Sequence, residues 1–208
     1  VNHFMLGRKT GIDQGYESSG FVPSPNANGA GINLTYANTS FGQGVTATPL
    51  QMAAALASVL NGGTYYKPRL VSQIDSPGGQ VQNLGPKIVK KNVVKPSTGQ
   101  GLAGLMQYVM ENRAQPVNFD QNKYTVGGKT GTAQIAKPNG GGYYTNQFNA
   151  SFIGFVGGAK PQYVIIVYAY NPNTSGYSAG YAGELVAQPI FVNLAHMLID
   201  NGYVAPKN

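Results

Sequence analysis

Cysteine is absent from the 208 residues, so the chain can build neither a disulfide framework nor a thiolate zinc site. Charge is scarce too: Asp, Glu, Lys and Arg make up 10 % of the residues, with 7 acids against 14 bases. Asn, Gln, Ser, Thr and Tyr must therefore form most of the surface, and 29 glycines leave much of the backbone unencumbered. No apolar run approaches the roughly 20 residues a membrane helix needs. The longest covers residues 163–170, and nothing resembles a signal peptide, so an anchor or export signal would have to lie outside this chain. Val1 in place of an initiator methionine points to a fragment. The H-E-x-x-H, G-x-S-x-G and phosphate-loop patterns are missing, which leaves metallo-hydrolase, esterase and NTPase readings without support. No serine has a lysine three positions later.

The length suits one domain with a real core, or a large lobe of a bigger one. A formal charge of +7 admits nucleic acid, an anionic membrane surface or an anionic polymer as a neighbour. The densest basic stretch, Lys87 through Lys90 and Lys91 to Lys95, holds no arginine and no aromatic residue. It reads as a solvated strand or loop, and nucleic acid is not expected as a partner. His3 and His196 stand far apart in dissimilar contexts, and His196 reads as a packed or surface histidine.

Val1 to Leu6 resembles a helix end stopped by Gly7, and residues 15–33 form a loop rich in Gly, Ser, Pro and Asn. Thr48-Pro49-Leu50-Gln51 is a strong helix start, with Thr48 as cap and Gln51 closing a capping box. Met52, Leu56, Val59 and Leu60 supply its apolar face, and Gly62-Gly63 ends it. A strand over 64–74, a turn at Pro77-Gly78-Gly79 and a second strand over 80–84 follow. Ser97 with Gln100 reads as another capping box, opening a helix whose core stripe is Leu102, Leu105, Met106, Val109 and Met110. Three strands then span 124–135, 147–156 and 162–170. The last, apolar on both faces, has the pattern of a central strand covered by helices. Residues 171–182 read as a loop, and 184–199 as a final helix bent near Pro189 and stopped by Asn201-Gly202.

The stretch Val126-Gly127-Gly128-Lys129-Thr130-Gly131-Thr132-Ala133-Gln134 concentrates the chemistry. On a strand beside a cleft, Lys129 offers an ammonium that attracts a carboxylate and biases nearby proton equilibria. Thr130 and Thr132 place hydroxyls on one face, because strand side chains alternate. Gly131 leaves the cleft rim uncrowded, while the strand edge can pair with an extended peptide and lend an N–H to an oxyanion hole. A second copy, Lys9-Thr10-Gly11, precedes a loop and reads as a structural turn, with Asp13 and Glu17 in turn and cap roles.

Four blocks in order resemble the C-terminal part of the transpeptidase domain of class B penicillin-binding proteins. They are Gly7 to Asp13 with Glu17 and Gly20, Ser40-Phe41-Gly42-Gln43-Gly44 through Thr48 to Ala53, Lys129 to Gln134, and Ala150-Ser151-Phe152-Ile153-Gly154-Phe155. Ala133 after K-T-G-T and the A-S-F-x-G-F strand favour class B over the bifunctional class A relatives. The resemblance implies an α/β (α+β) fold, an antiparallel sheet flanked by helices. Residues 1–208 would be the C-terminal part of a single transpeptidase domain of the penicillin-binding/serine β-lactamase-like kind.

It also implies a serine-type D,D-transpeptidase at the extracytoplasmic face of the bacterial membrane, anchored only through a missing N-terminal segment. Peptidoglycan stem peptides and β-lactams would be its partners, with neither metal nor cofactor. Lys129, Thr130 and Gly131 would be catalytic, and Thr130, Thr132 and Gln134 would bind substrate. The S-x-x-K nucleophile box would lie before Val1, leaving the isolated chain inactive. Ser24-Pro25-Asn26 fits S-x-N as a string but falls in a loop position. A non-catalytic D-Ala-D-Ala or β-lactam sensor is the alternative; a secreted β-lactamase is disfavoured by the F-G-Q-G…T-P-L-Q block. The family's sheet is completed by strands from upstream, so strand 162–170 would have one neighbour here, and the isolated chain is expected to be poorly soluble or only marginally folded.

Overall fold

The structure is a computed structural model that describes residues 2–23, 32–112, 118–174, 176 and 181–208. The chain divides into two compact units, Val1–Gly99 and Gln100–Asn208.

The first unit is organised by a helix whose start was legible in the sequence. Helix α2, Pro49–Leu60, carries the full capping box. Thr48 Oγ1 accepts from Gln51 N–H at 3.1 Å, and Gln51 Oε1 accepts from Thr48 N–H at 2.8 Å. The same Gln51 side chain is fully buried, and its amide nitrogen donates to the carbonyls of Arg8 (2.7 Å) and Ser19 (2.8 Å). One glutamine thus caps the helix and clamps the preceding segment. Ala55, Leu56, Ser58 and Val59 complete the buried face, so Met52 and Leu60 lie at its margins.

Helix α1, Ile32–Ser40, begins inside the stretch read as loop; its Asn and Thr content gave no helical signal. A 3-10 turn, Asn2–Phe4, precedes Gly7, which takes φ +78°. The single strand expected over 64–74 is broken into β1, Tyr65–Tyr66, and β2, Gln73–Asp75. Pro68 lies in the gap and has no N–H to give a ladder. Returning through the turn at Pro77-Gly78-Gly79, β3 (Val81–Asn83) pairs with β2 and β4 (Ile88–Lys90) with β1, both antiparallel. Lys90 and its neighbours accordingly sit on an exposed strand and loop.

Helix α3, Pro96–Glu111, opens two residues earlier than a Ser97 cap requires, with Pro96 at the position proline favours. Met106 and Met110 are buried, but Leu102 and Leu105 are exposed and Val109 is half-buried, so two of the five residues of the expected stripe are core.

The second unit is built on a three-stranded antiparallel sheet in the order β5-β6-β7, from Thr125–Ala136, Tyr143–Gly157 and Pro161–Tyr170. The middle strand is β6, and among the described residues β7 pairs on one side only, the single neighbour expected for strand 162–170 in this chain. A π-helical turn, Gly183–Ala187, leads into α4, Gln188–Asp200, with Pro189 in its first turn. That change of helix type stands where the bend was expected. Asn201 and Gly202, the latter at φ +73°, close α4.

Glycine and aromatic side chains interlock across this sheet. A Cβ on Gly128 would enter the Phe152 ring, and one on Gly127 would stand 2.5 Å from the Phe155 ring. A Cβ on Gly154 would meet the Phe191 ring at 2.6 Å. Phe152, Phe155 and Phe191 are all fully buried, and Phe152 stacks at a tilt on Phe191 with 4.6 Å between centroids. Gly127 and Gly128 let the Phe155 and Phe152 rings reach the backbone of the strand that carries Lys129, and Gly154 lets Phe191 reach β6.

Candidate active site

All five site residues expected from the sequence lie on β5. Its ladder with β6 is regular through them: Lys129 faces Ile153, Thr130 faces Phe152, Gly131 faces Ser151, Thr132 faces Ala150 and Gln134 faces Phe148. Alternation sends Lys129 and Gly131 to one face and Thr130, Thr132 and Gln134 to the other. The strand's second edge pairs with no other strand among the described residues.

The Lys129 side chain is exposed and curls over the strand. Its ammonium donates to the Thr130 carbonyl at 2.8 Å and to Thr130 Oγ1 at 3.3 Å. A carbonyl that a lysine ammonium reaches this way points outward from the strand. In an antiparallel ladder the N–H and C=O of one residue share a direction, and residues two apart share it as well. The Thr132 N–H therefore points to the same side as the Thr130 carbonyl. Cation, hydroxyls and an edge N–H lie within a few residues: a site suited to an anion at the end of an extended chain.

Gly131 has a structural reason the sequence reading did not supply. A Cβ there would stand 2.5 Å from Ser151 Oγ, which itself lies 3.5 Å from the Gly131 carbonyl. Gln134, on the exposed part of the strand, reaches the Tyr144 carbonyl at 3.4 Å. Thr132 Oγ1 accepts from the Gly183 N–H at 3.1 Å, a contact across 51 residues of sequence that no local pattern announced.

The second copy, Lys9-Thr10-Gly11, lies on irregular backbone outside any strand. The Thr10 and Gly11 amides donate to the two oxygens of Glu17 at 2.6 and 2.9 Å, and Gly11 takes φ +75°. Burial pushes the Glu17 pKa up, but the Thr10 hydroxyl, both amides and the Lys9 ammonium outweigh it and hold the group below its ordinary value. Asp13 pairs with Lys67 at 2.8 Å. His196 stacks on Phe119 with centroids 4.3 Å apart, a packed histidine as its context indicated, while His3 is exposed. Ser24-Pro25-Asn26 lies outside the described residues.

Residues 1–196 match the family described as penicillin binding protein transpeptidase domain. Stage V sporulation protein D of Bacillus subtilis is 34 % identical over 208 residues, covering 100 % of this chain and 31 % of that protein. A peptidoglycan D,D-transpeptidase FtsI homolog of Mesostigma viride is 30 % identical over 167 residues, covering 74 % of this chain and 28 % of that protein. The crystal structure of penicillin binding protein 3 from Mycobacterium tuberculosis in complex with ampicillin superposes with a TM-score of 0.82 at 28 % identity. It covers 99 % of this chain and 45 % of the crystallised one. The chain thus spans about a third of the length of the curated relatives it matches.

Proposed function

The chain belongs to the penicillin-binding protein transpeptidase family, and from that premise we propose that it is the C-terminal part of a serine D,D-transpeptidase domain that crosslinks peptidoglycan. The nucleophilic serine belongs to an S-x-x-K helix on polypeptide preceding Val1. It attacks the penultimate D-Ala carbonyl of a stem peptide, D-Ala leaves, and an amine of a neighbouring stem takes the acyl group. The reaction takes place at the extracytoplasmic face of the membrane. β-Lactams acylate the same serine, a reading supported by the ampicillin complex of the mycobacterial relative.

The observation that carries this reading is the Lys129 ammonium held on the Thr130 carbonyl and hydroxyl. It fixes positive charge beside two threonines that share a face. Lys129, Thr130 and Gly131 form the catalytic segment, with Thr130 and Thr132 holding the terminal carboxylate. The Thr132 N–H supplies half the oxyanion hole, and Gln134 borders the cleft. The test is covalent labelling of the complete protein, with its upstream region, by a fluorescent penicillin. Lys129→Ala is expected to slow labelling by about a hundredfold or more. A complete protein that takes no label, or a variant labelled at the wild-type rate, overturns the assignment.

A further inference from the structure

The π-helical turn Gly183–Ala187 meets β5 at the candidate site. The Gly183 N–H donates to Thr132 Oγ1 at 3.1 Å. The approach is so close that only glycine fits: a Cβ at 183 would lie 2.5 Å from the Gly131 carbonyl oxygen, 3.0 Å from its carbon and 3.1 Å from the Ser151 oxygen. Ala182 and Ala187, on either side, are 1 % and 0 % exposed, so the turn is held by packing. Single π turns interrupt helices at a cost in backbone geometry and recur where a group must be aimed.

The chemical consequence follows from what a hydroxyl can do. Threonine Oγ1 donates one proton and accepts through its lone pairs. A backbone N–H can only donate, so the lone pair facing Gly183 is committed and the hydroxyl proton is directed to some other acceptor. With Thr130 Oγ1 on the same face held by the Lys129 ammonium, the acceptor best suited is an anion.

We infer that Gly183 is a positioning residue that fixes the Thr132 hydroxyl as a proton donor, so that the strand prefers acyl donors ending in a free carboxylate over those ending in an amide. The inference rests on the transpeptidase reading and sharpens it: Gly183 touches no substrate and acts through Thr132.

Turnover of an acylated D-Ala-D-Ala peptide and of its C-terminal amide by the complete protein tests the proposal. Gly183→Ala is expected to lower the carboxylate-to-amide ratio of kcat/KM by about tenfold or more, the worth of one hydrogen bond to a charged group. Turnover of the amide should change far less, which general damage to the fold would not produce. Thr132→Val should lose the same selectivity, Thr132→Ser should keep it, and the double variant should fall no further than either single one. A folded Gly183→Ala variant with the wild-type ratio, or effects that multiply in the double variant, overturns the proposal. If Gly183→Ala does not fold, hydrogen exchange decides. The Gly183 amide should lose protection in Thr132→Val and keep it in Thr132→Ser; unchanged protection in Thr132→Val refutes the contact. A wild type that uses neither donor sinks the transpeptidase reading itself, while exchange at Gly183 still tests the contact.

Discussion

Replacing Gln51 by leucine would test whether the first unit is held as its hydrogen bonds indicate. The substitution nearly conserves volume, so no large cavity opens, but it deletes three bonds at once. The Arg8 and Ser19 carbonyls lose their donor, and the Thr48 amide loses its acceptor. Losing a bond while a partly buried partner remains costs roughly 1 kcal/mol or somewhat more. Water can reach these partly buried partners, so the sum is taken at the low end, about 3 kcal/mol. For a chain of this size that corresponds to a fall in Tm of about 6–12 °C. The loss should also be local. The 8–20 segment is clamped to α2 through Gln51, so exchange of the Thr10 and Gly11 amides should accelerate before the rest of the unit opens. Thr48→Ala, which removes only the cap, should cost about 1 kcal/mol and leave those two amides protected. A Gln51→Leu variant melting within about 2 °C of wild type, with unchanged exchange at Thr10 and Gly11, would refute the clamp.

The glycines divide cleanly by environment. Gly128→Ala drives a methyl into the Phe152 ring and should cost about 3 kcal/mol or prevent folding, as measured by soluble yield and urea denaturation. Gly104→Ala, in α3 with nothing within 4 Å of the added carbon, should instead stabilise by about 0.5–1 kcal/mol. Glu17 has a folded pKa below its ordinary value of 4.5, so its contribution is fully present above that value and is lost as pH falls through the lower folded pKa. Melting curves from pH 7 down to pH 3 should show wild type converging on Glu17→Gln in acid, and parallel curves would remove Glu17 from the account.

The sequence was most legible where information is local. The Thr48 capping box is encoded within a few residues and the structure reproduces it, with Leu56 and Val59 of the expected apolar face buried. The strands around Lys129 and Phe152 were legible for the same reason: long alternating or apolar runs interrupted by clear turns. What failed depended on neighbours distant in sequence. Leu102 and Leu105 carry the right period for a core face, yet burial is decided by what packs against the helix. The break at 64–74 is the exception, because Pro68 is local and interrupts an otherwise alternating run.

The site shows the same division more sharply. Lys129, Thr130 and Thr132 stand out because they fall in a contiguous stretch, Lys129 to Gln134, that resembles a family motif. Gly131 has a further reason that lies outside its own segment: a Cβ there would crowd Ser151 on the adjacent strand. Gly183 drew none, since one glycine in a Gly- and Tyr-rich segment carries no local mark of its role. Yet three constraints converge on it: the Thr132 hydroxyl, the Gly131 carbonyl and the Ser151 carbonyl. A functional group on a strand can be identified from its own chemistry, but its aim is set by residues that need no chemistry of their own. Among the described contacts, the residue that aims Thr132 is therefore one whose essential property is having no side chain.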